Sequence, residues 1–203
     1  MNFVLRHPGE IAWRTMEHVE LVLIALVIAC AIALPLGIYI ARNRRLGDIV
    51  LGTLNVVYTI PSLALLALLV PVFGIGTTTA LIALVAYALM ILVRNVVAGI
   101  RGVPFALVDA GRGLGMTARQ ILWRVEIPQA LPVMLGGVRL ATITLIALAT
   151  LASWVNAGGL GTLVLYGLQH DDPVRALAGS AIAALLAVAA DLSLRHLERL
   201  VRS

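Results

Sequence analysis

The sequence predicts an all-α integral membrane protein that crosses the bilayer about five times. Apolar residues make up 61% of the 203 residues and charged residues only 12%, whereas a soluble domain is about 45–50% apolar and about 25% charged. The uncharged segments are also long enough to span, because a transmembrane helix needs about 20 residues. They cover residues 21–41, 49–93, 140–169 and 176–190. Lipid is therefore the expected solvent for much of the surface.

The segment 49–93 holds 45 uncharged residues, which is enough for two spans. Its middle, Pro71–Thr79, contains the Pro, Gly and Thr residues that favour a tight turn between two helices. The last uncharged run is the shortest and reaches spanning length only if Asp191 lies within the helix. The predicted transmembrane helices cover residues 19–41, 49–70, 78–100, 131–155 and 174–194.

Arginine placement predicts the orientation of these helices. All 15 basic residues are arginine, and cytoplasmic loops are enriched in basic residues. If the polar segment 101–130 is cytoplasmic, three arginines lie outside and the other twelve lie inside. The inner set is Arg42, Arg44, Arg45, Arg94, Arg101, Arg112, Arg119, Arg124, Arg139, Arg195, Arg199 and Arg202. This bias places the N-terminus outside and the C-terminus in the cytoplasm.

This topology divides the chain into three parts. Residues 1–18 are predicted to form a short amphipathic lead that lies at the outer membrane interface, with apolar side chains such as Ile11 and Trp13 on one face. Residues 19–194 form the membrane domain, and residues 195–203 form a cytoplasmic tail. The net charge of +5 follows from the arginine bias and gives no reason to expect nucleic-acid binding.

The polar segment has the local signals of a helical hairpin. Pro104 can begin a helix, Gly113 and Gly115 permit a turn, and Thr117 with Gln120 fits a capping box. Pro128 is expected to end the second helix. The hairpin would present an apolar side and a charged side to a groove on another protein. The alternative is a plain surface loop that returns the chain to the membrane.

The segment also resembles the coupling-loop signature of ATP-binding-cassette importer permeases. That signature is Glu-Ala-Ala, three residues, Gly, nine residues and Ile-x-Leu-Pro, and both spacings are kept here. The matching positions are Asp109, Ala110, Gly111, Gly115, Val125, Ile127 and Pro128. Asp, Gly, Val and Ile replace Glu, the second Ala, Ile and Leu of the signature. The resemblance implies the type I importer permease fold, with a cytoplasmic coupling helix that sits in a cleft of a separate ATPase subunit.

Other segments are similar to osmoprotectant permeases, and the resemblance covers about residues 19–170. They are Tyr58–Leu69, Val72–Gly76, Gly137–Ala141 and Ala157–Gly161. This similarity implies import of glycine betaine, choline, carnitine or a proline-like solute such as proline betaine across a bacterial cytoplasmic membrane. It also implies three partners, namely the ATPase subunit, an extracytoplasmic solute-binding protein, and a second permease subunit that is an identical or a sister chain.

Three alternatives stay open at this stage. The same scaffold serves permeases for methionine and other amino acids. A secondary transporter would need no ATP, although five unequal spans without an evident internal repeat argue against inverted-repeat transporters. A membrane scaffold without a transport role is the third alternative.

Two polar stripes are candidates for the solute pathway. Asn55, Tyr58, Thr59 and Ser62 share one face of the second predicted helix, which Pro61 should kink. The second stripe lies on the fourth predicted helix, where Thr142, Ser153 and Asn156 share a face and Thr150 lies beside it. The alternative for both stripes is packing, because such side chains often form hydrogen bonds between helices in lipid.

The glycine-rich segment after the fourth predicted helix is a candidate gate. Gly158, Gly159 and Gly161 allow backbone angles that other residues resist, so the segment is either a gate at the outer surface or a simple helix end.

Enzymatic sites are not expected. The chain has no Lys for a phosphate-binding loop, and its four His residues are scattered. The acidic pair Asp171–Asp172 fits a solvated loop better than a catalytic dyad. We therefore expect no catalytic residue, no metal and no cofactor on this chain. The aromatic residues are few and spread along the sequence, which argues against an aromatic box for a quaternary ammonium and favours recognition by the binding protein.

Overall fold

The computed structural model describes residues 6–202, with side chains described as far as Leu200. The first five residues of the predicted lead and the last residue of the predicted tail lie outside the described residues. Nine α-helices follow one another in this part of the chain. They are α1 (Pro8–Ala41), α2 (Arg44–Thr59), α3 (Ser62–Phe73), α4 (Thr77–Arg101), α5 (Phe105–Gly113), α6 (Ala118–Ile121), α7 (Ile127–Ala149), α8 (Gly161–Gln169) and α9 (Pro173–Arg202).

The helices confirm the predicted fold class, because residues 6–202 contain helices and turns but no strand. Four continuous helical segments are long and apolar enough to cross a membrane. They are α1, α4, the segment Ala118–Ala149 that contains α6 and α7, and α9. Helices α2 and α3 pass the same test as a pair, with a bend of 98° between them. The count of about five spans is therefore confirmed, but one of the five is a broken helix.

The first span begins earlier than predicted. Helix α1 runs without interruption from Pro8 to Ala41, so the predicted boundary at residue 18 falls inside a continuous helix. Pro8 lies in the first turn, where its missing N–H costs nothing, and Glu10 suits the positive end of the helix dipole. His18 is fully buried. This part of the chain therefore packs against the membrane domain.

The second predicted span breaks where a kink was expected. Ile60 and Pro61 are both extended, with φ/ψ of −66°/128° and −55°/135°. A residue that precedes proline avoids the helical region, and the proline ring cannot continue the hydrogen-bond ladder. The Tyr87 hydroxyl of α4 donates a hydrogen bond to the Ile60 carbonyl, which satisfies a backbone group that the break sets free.

The fourth predicted span is shifted along the chain. It ends as an α-helix at Ala149, six residues early, and continues as a 3₁₀ segment, Leu151–Val155. The prediction that Pro128 ends the preceding helix is wrong. A π-helical turn, Leu122–Glu126, joins α6 to α7, and Pro128 lies in the first turn of α7. The wider π turn accommodates a ring that would clash with the carbonyl four residues earlier in an α-helix.

The last span is longer than predicted. Helix α9 extends from Pro173 to Arg202, so it includes the described part of the predicted cytoplasmic tail. Arg139 of α7 pairs with both Asp191 (3.1 Å) and Glu198 (2.9 Å) of α9. This ionic contact fixes the C-terminal half of α9 against α7.

Small residues allow the three central helices to approach closely. Helix α4 lies between α1 and α7 and contributes the largest set of buried residues. A Cβ atom added at Gly37 of α1 would lie 2.7 Å from Val96 Cβ, and one added at Gly137 of α7 would lie 2.5 Å from Asn95 Cβ. Packing through small residues is the usual way in which helices associate in lipid.

This packing predicts different effects for two adjacent glycines. Gly137→Ala should destabilise the protein by about 1–3 kcal/mol, because α4 and α7 must separate to admit the methyl group. Gly136→Ala is the matched control, since the nearest atom to its added Cβ is Glu198 Oε1 at 4.0 Å. The measurement is the midpoint of thermal unfolding in detergent. Equal midpoints for the two variants would contradict the close contact.

Candidate coupling surface and solute pathway

The polar segment folds as the predicted helical hairpin. Helix α5 begins directly after Pro104, and the turn passes through Gly115, whose φ of 74° lies in the left-handed region. The capping box is confirmed. The Thr117 hydroxyl accepts a hydrogen bond from the backbone N–H of Gln120, and the side-chain oxygen of Gln120 accepts one from the backbone N–H of Thr117 at 2.8 Å. Local sequence signals therefore determine this hairpin.

Gly111 is the tightest point inside the hairpin. It is buried, and a Cβ added there would lie 3.3 Å from Met116 Sδ and 3.5 Å from Ile121 Cγ1. Glycine at this position lets α5 rest against the second arm, where the signature has alanine. The second arm is also tied to the first span, because Arg42, directly after α1, pairs with Glu126 at 2.7 Å.

The outer side of the hairpin combines exposed apolar and charged groups. Phe105, Leu114 and Trp123 are 70%, 83% and 61% exposed. Four charged residues of the hairpin are also exposed, namely Asp109, Arg112, Arg119 and Arg124. Large apolar side chains surrounded by charges are characteristic of a protein-binding surface.

The signature residues occupy both sides of the hairpin. Asp109, Ala110, Gly115 and Pro128 are exposed, Gly111 is buried, and Val125 and Ile127 are half-buried. The motif therefore contributes both to the hairpin's internal packing and to its outer surface.

The first polar stripe lies on an uncovered face of α2. Asn55, Tyr58 and Thr59 are all exposed, and Gly47 is the one buried residue of the helix. Ser62, just beyond the break, lines a narrow cleft with Tyr87 of α4 and Leu151 of the 3₁₀ segment. The structure thus brings the break in the second span close to the end of α7.

The structure places the residues of the second polar stripe in different surroundings. Thr142 is buried on α7, and its hydroxyl donates a hydrogen bond to the Val138 carbonyl at 2.8 Å. Together with His18 and Ser193 it lines a cavity of about 250 Å³ between α1, α7 and α9. Thr150, Ser153 and Asn156 follow the end of α7. The common helical face assumed for these residues does not exist, because the α-helix ends at Ala149.

The glycine-rich segment is a compact left-handed turn. Asn156, Gly158 and Gly159 have φ values of 58°, 82° and 77°. A Cβ at Gly161 would lie 1.9 Å from the Thr150 carbonyl oxygen. Glycine is therefore required at Gly161 for space and at the two preceding glycines for backbone conformation.

Two residues of α1 contact this turn, and sequence reasoning missed both of them: Glu17 bonds to it, and His18 packs against it, since a Cβ added at Gly159 would lie 3.1 Å from His18 Nδ1. The Glu17 carboxylate accepts a hydrogen bond from the Gly159 amide at 3.0 Å and further bonds from Arg14 and Trp13. The His18 Nε2 atom lies 3.1 Å from the Ile146 carbonyl oxygen. An acidic residue and a histidine at the start of an apolar helix are the available signal, whereas the sequence pattern assigns both to an amphipathic lead at the outer membrane interface.

Comparison with known proteins gives a consistent result. The sequence profile of the family described as binding-protein-dependent transport system inner membrane component matches residues 33–203. A glycine betaine/carnitine/choline transport system permease protein, OpuCB of Bacillus subtilis, is 39% identical over 99% of this chain and 93% of its own length. The osmoprotectant import permease protein OsmW of Salmonella typhimurium is also 39% identical, over 98% of this chain and 94% of its own.

A solved structure shares the fold. A chain of the MetNI methionine ABC transporter, in an inward-facing conformation, superposes with a TM-score of 0.82 and 25% identity, covering 92% of this chain and 93% of that one. The profile match and the two relatives extend over most of the sequence, including the hairpin and the broken span. The chain therefore belongs to the family of binding-protein-dependent transport system inner membrane components, the multi-pass permeases of ATP-binding-cassette importers.

Proposed function

We propose that this chain is the permease subunit of an ATP-driven importer for a small quaternary-ammonium solute such as glycine betaine, choline, carnitine or proline betaine. The observation that carries the proposal is the 39% identity, over nearly the full length of both chains, to a permease named for glycine betaine, carnitine and choline and to a permease named for osmoprotectant import. The likeness to a methionine transporter is weaker, at 25% identity, and supports the shared scaffold rather than methionine as the solute.

The hairpin is the proposed contact with a separate ATPase subunit. Its exposed Phe105, Leu114 and Trp123 suit an apolar cleft, and its arginines suit acidic groups at the rim. The Arg42–Glu126 pair ties it to α1, and the π turn joins it to α7. A displacement of the hairpin would therefore move two spans directly, which is what coupling ATP hydrolysis to transport requires.

The pathway is proposed to run along the uncovered face of α2. Asn55 and Thr59 are exposed on this face and Tyr58 is partly exposed beside Tyr87, so a second permease subunit, identical or sister, would enclose the passage. Ser62, Thr150 and Ser153 lie near the broken span and the end of α7, where they would continue the lining. Thr142 lies in a different cavity, so its proposed role in the pathway has the weakest support from the geometry.

The proposed orientation places the hairpin in the cytoplasm, the N-terminus outside and the C-terminus inside. The support comes from the arginine bias and from the position of the basic groups in the fold. Arg42, Arg101 and the hairpin arginines cluster at one end of α1 and α4, and Arg101 donates to the carbonyls of Ile40 and Ala41 there. The turn Asn156–Gly161 then lies toward the outer face, where Pro61 and the glycines would serve as hinge and gate for solute delivered by the binding protein.

The proposed function is tested by solute uptake into proteoliposomes that contain the assembled importer, with ATP inside and the binding protein outside. We expect accumulation of labelled choline with ATP but not with ADP, and competition by glycine betaine, carnitine and proline betaine. Uptake that is independent of ATP would indicate a secondary transporter. Competition by methionine alone would assign another solute, and an absence of any uptake would favour a scaffold.

Coupling depends on the left-handed turn at Gly115. Gly115→Ala should lower the amount of solute carried per ATP hydrolysed, because alanine costs roughly 1–2 kcal/mol at this φ and tilts the two arms. Gly113→Ala is the matched control, since neither glycine has an atom within 4 Å of its added Cβ and only Gly115 has a positive φ. Parallel measurement of uptake and ATP hydrolysis separates the variants. Unchanged coupling in Gly115→Ala would count against the role of the turn.

The Glu17 carboxylate should restrain the proposed gate. Glu17→Ala removes a charged acceptor from the Gly159 amide, and such a bond contributes about 1.5–3 kcal/mol. Hydrogen exchange in residues 156–161 should therefore be roughly tenfold faster or more. Glu20→Ala, one turn further along α1 and exposed, is the control. Equal exchange in the two variants would show that Glu17 does not hold the turn.

A further inference from the structure

The break between α2 and α3 places an aromatic ring beside the carbonyl end of a helix. The Tyr58 side chain is 39% exposed, and its ring centroid lies 5.6 Å from that of Tyr87 in an edge-to-face arrangement with an interplanar angle of 66°. Tyr87 is buried and anchored by its hydrogen bond to the Ile60 carbonyl. The Tyr58 ring is therefore held by a neighbour that is itself fixed to the break.

The electrostatics of this place favour a cation. The C-terminal end of α2 carries the negative end of the helix dipole, and the last carbonyls of a helix have no following amides within it. The extended residues Ile60 and Pro61 prevent α3 from supplying those amides in register. The face of an aromatic ring is also negative. The negative end of the α2 dipole and the Tyr58 ring therefore lie together at the break, where the carbonyls of Val56, Val57 and Ile60 already accept hydrogen bonds from protein groups.

No charged side chain within residues 49–93 competes with this attraction. This stretch, which includes all of the broken span after Asp48 and most of α4, contains neither acidic nor basic groups. A cation that moves along α2 past Asp48 meets no further carboxylate before the break, so the Tyr58 ring and the helix dipole are the groups that attract it on this stretch. A site without a formal charge also lets the cation leave, as conduction along a pathway requires.

The solutes of the proposed function match this chemistry. Choline, carnitine and glycine betaine each carry a trimethylammonium group, which has no N–H to donate. Such a group is recognised by aromatic faces rather than by hydrogen-bond acceptors. A primary ammonium group would instead require several acceptors directed at its three N–H bonds.

We infer that Tyr58 forms a transit subsite for the quaternary ammonium group of the solute, and that Tyr87 is the positioning residue that holds the Tyr58 ring in place. The inference rests on the proposed function and adds a residue-level account of how a neutral pathway accepts a cation. It also modifies the expectation that the chain lacks an aromatic site, because the fold brings together two tyrosines that are 29 positions apart in the sequence.

The test is labelled-choline uptake by the complete importer in proteoliposomes, with Tyr58 replaced by Phe, Trp or Leu. Tyr58→Leu should lower the maximal uptake rate roughly two- to tenfold, since the ring contributes its attraction when the cation is partly desolvated. Tyr58→Phe and Tyr58→Trp should stay within about twofold of wild type, because both keep a ring face. Tyr39→Leu is the control, since Tyr39 is exposed on α1 and lies outside the proposed pathway.

Assembly is measured in the same preparations, by copurification of the ATPase subunit and by ATP hydrolysis, and both should equal wild type in every variant. The subsite is refuted if Tyr58→Leu transports choline as fast as Tyr39→Leu, or if Phe and Trp lose as much activity as Leu. Those results would leave the proposed function intact. If the wild-type importer accumulates no quaternary-ammonium solute, the proposed function fails, and the subsite fails with it.

Discussion

The structure depends on one constraint, which is that every backbone N–H and C=O within lipid must find a partner inside the protein. Regular helices satisfy this requirement by themselves, and interruptions do not. At three interruptions the partner comes from a distant helix. Tyr87 donates to the Ile60 carbonyl at the broken span, Arg101 donates to the last carbonyls of α1, and Glu17 accepts from the Gly159 amide in the left-handed turn.

Contacts between distant parts of the chain also join the central helices and the hairpin into one group. Arg101 joins the inner ends of α1 and α4, and the close contact at Gly137 joins α4 to α7. The hairpin is attached to this group through the Arg42–Glu126 pair and the π turn. Helix α2 is less covered, since Gly47 is its one buried residue, whereas α3 buries Leu65 and Leu66 in the core. Under the proposed function, alternating access would use relative motion between the central helices and the exposed α2.

Sequence patterns predicted the elements that depend on local chemistry. The uncharged runs gave the number of spans, Pro61 marked the break, and Thr117 with Gln120 determined the start of α6. The errors arose where tertiary contacts override local signals. The sequence around Pro128 predicts a helix end, but the π-helical turn before it makes room for the proline ring, so the helix continues. Residues 8–18 have the polarity of an amphipathic lead at the outer interface, whereas the fold uses Glu17 to bind the Gly159 amide and His18 to contact the Ile146 carbonyl of α7.

The candidate site shows the same division between local and tertiary information. The signature in the hairpin could be recognised from its spacing, since its residues are neighbours in sequence and share one surface. The pairing of Tyr58 with Tyr87 could not be recognised, because it depends on how α2 packs against α4 after a bend of 98°. Thr142 was placed in the pathway on the assumption that one helix continued to residue 155, and the early end of α7 separates it from the residues that follow.

Under the proposed function, the distribution of charge would let the chain pass a quaternary-ammonium solute without binding it tightly. The Arg42–Glu126 pair lies at the end of α1 and the Arg139–Asp191 pair joins α7 to α9, whereas residues 49–93 are uncharged. A carboxylate beside the pathway would attract the solute strongly but would also slow its release. Ring faces and helix dipoles would give a weaker attraction, so under the proposed function tight selection would fall to the solute-binding protein, and the permease would need only enough affinity to lower the barrier to passage.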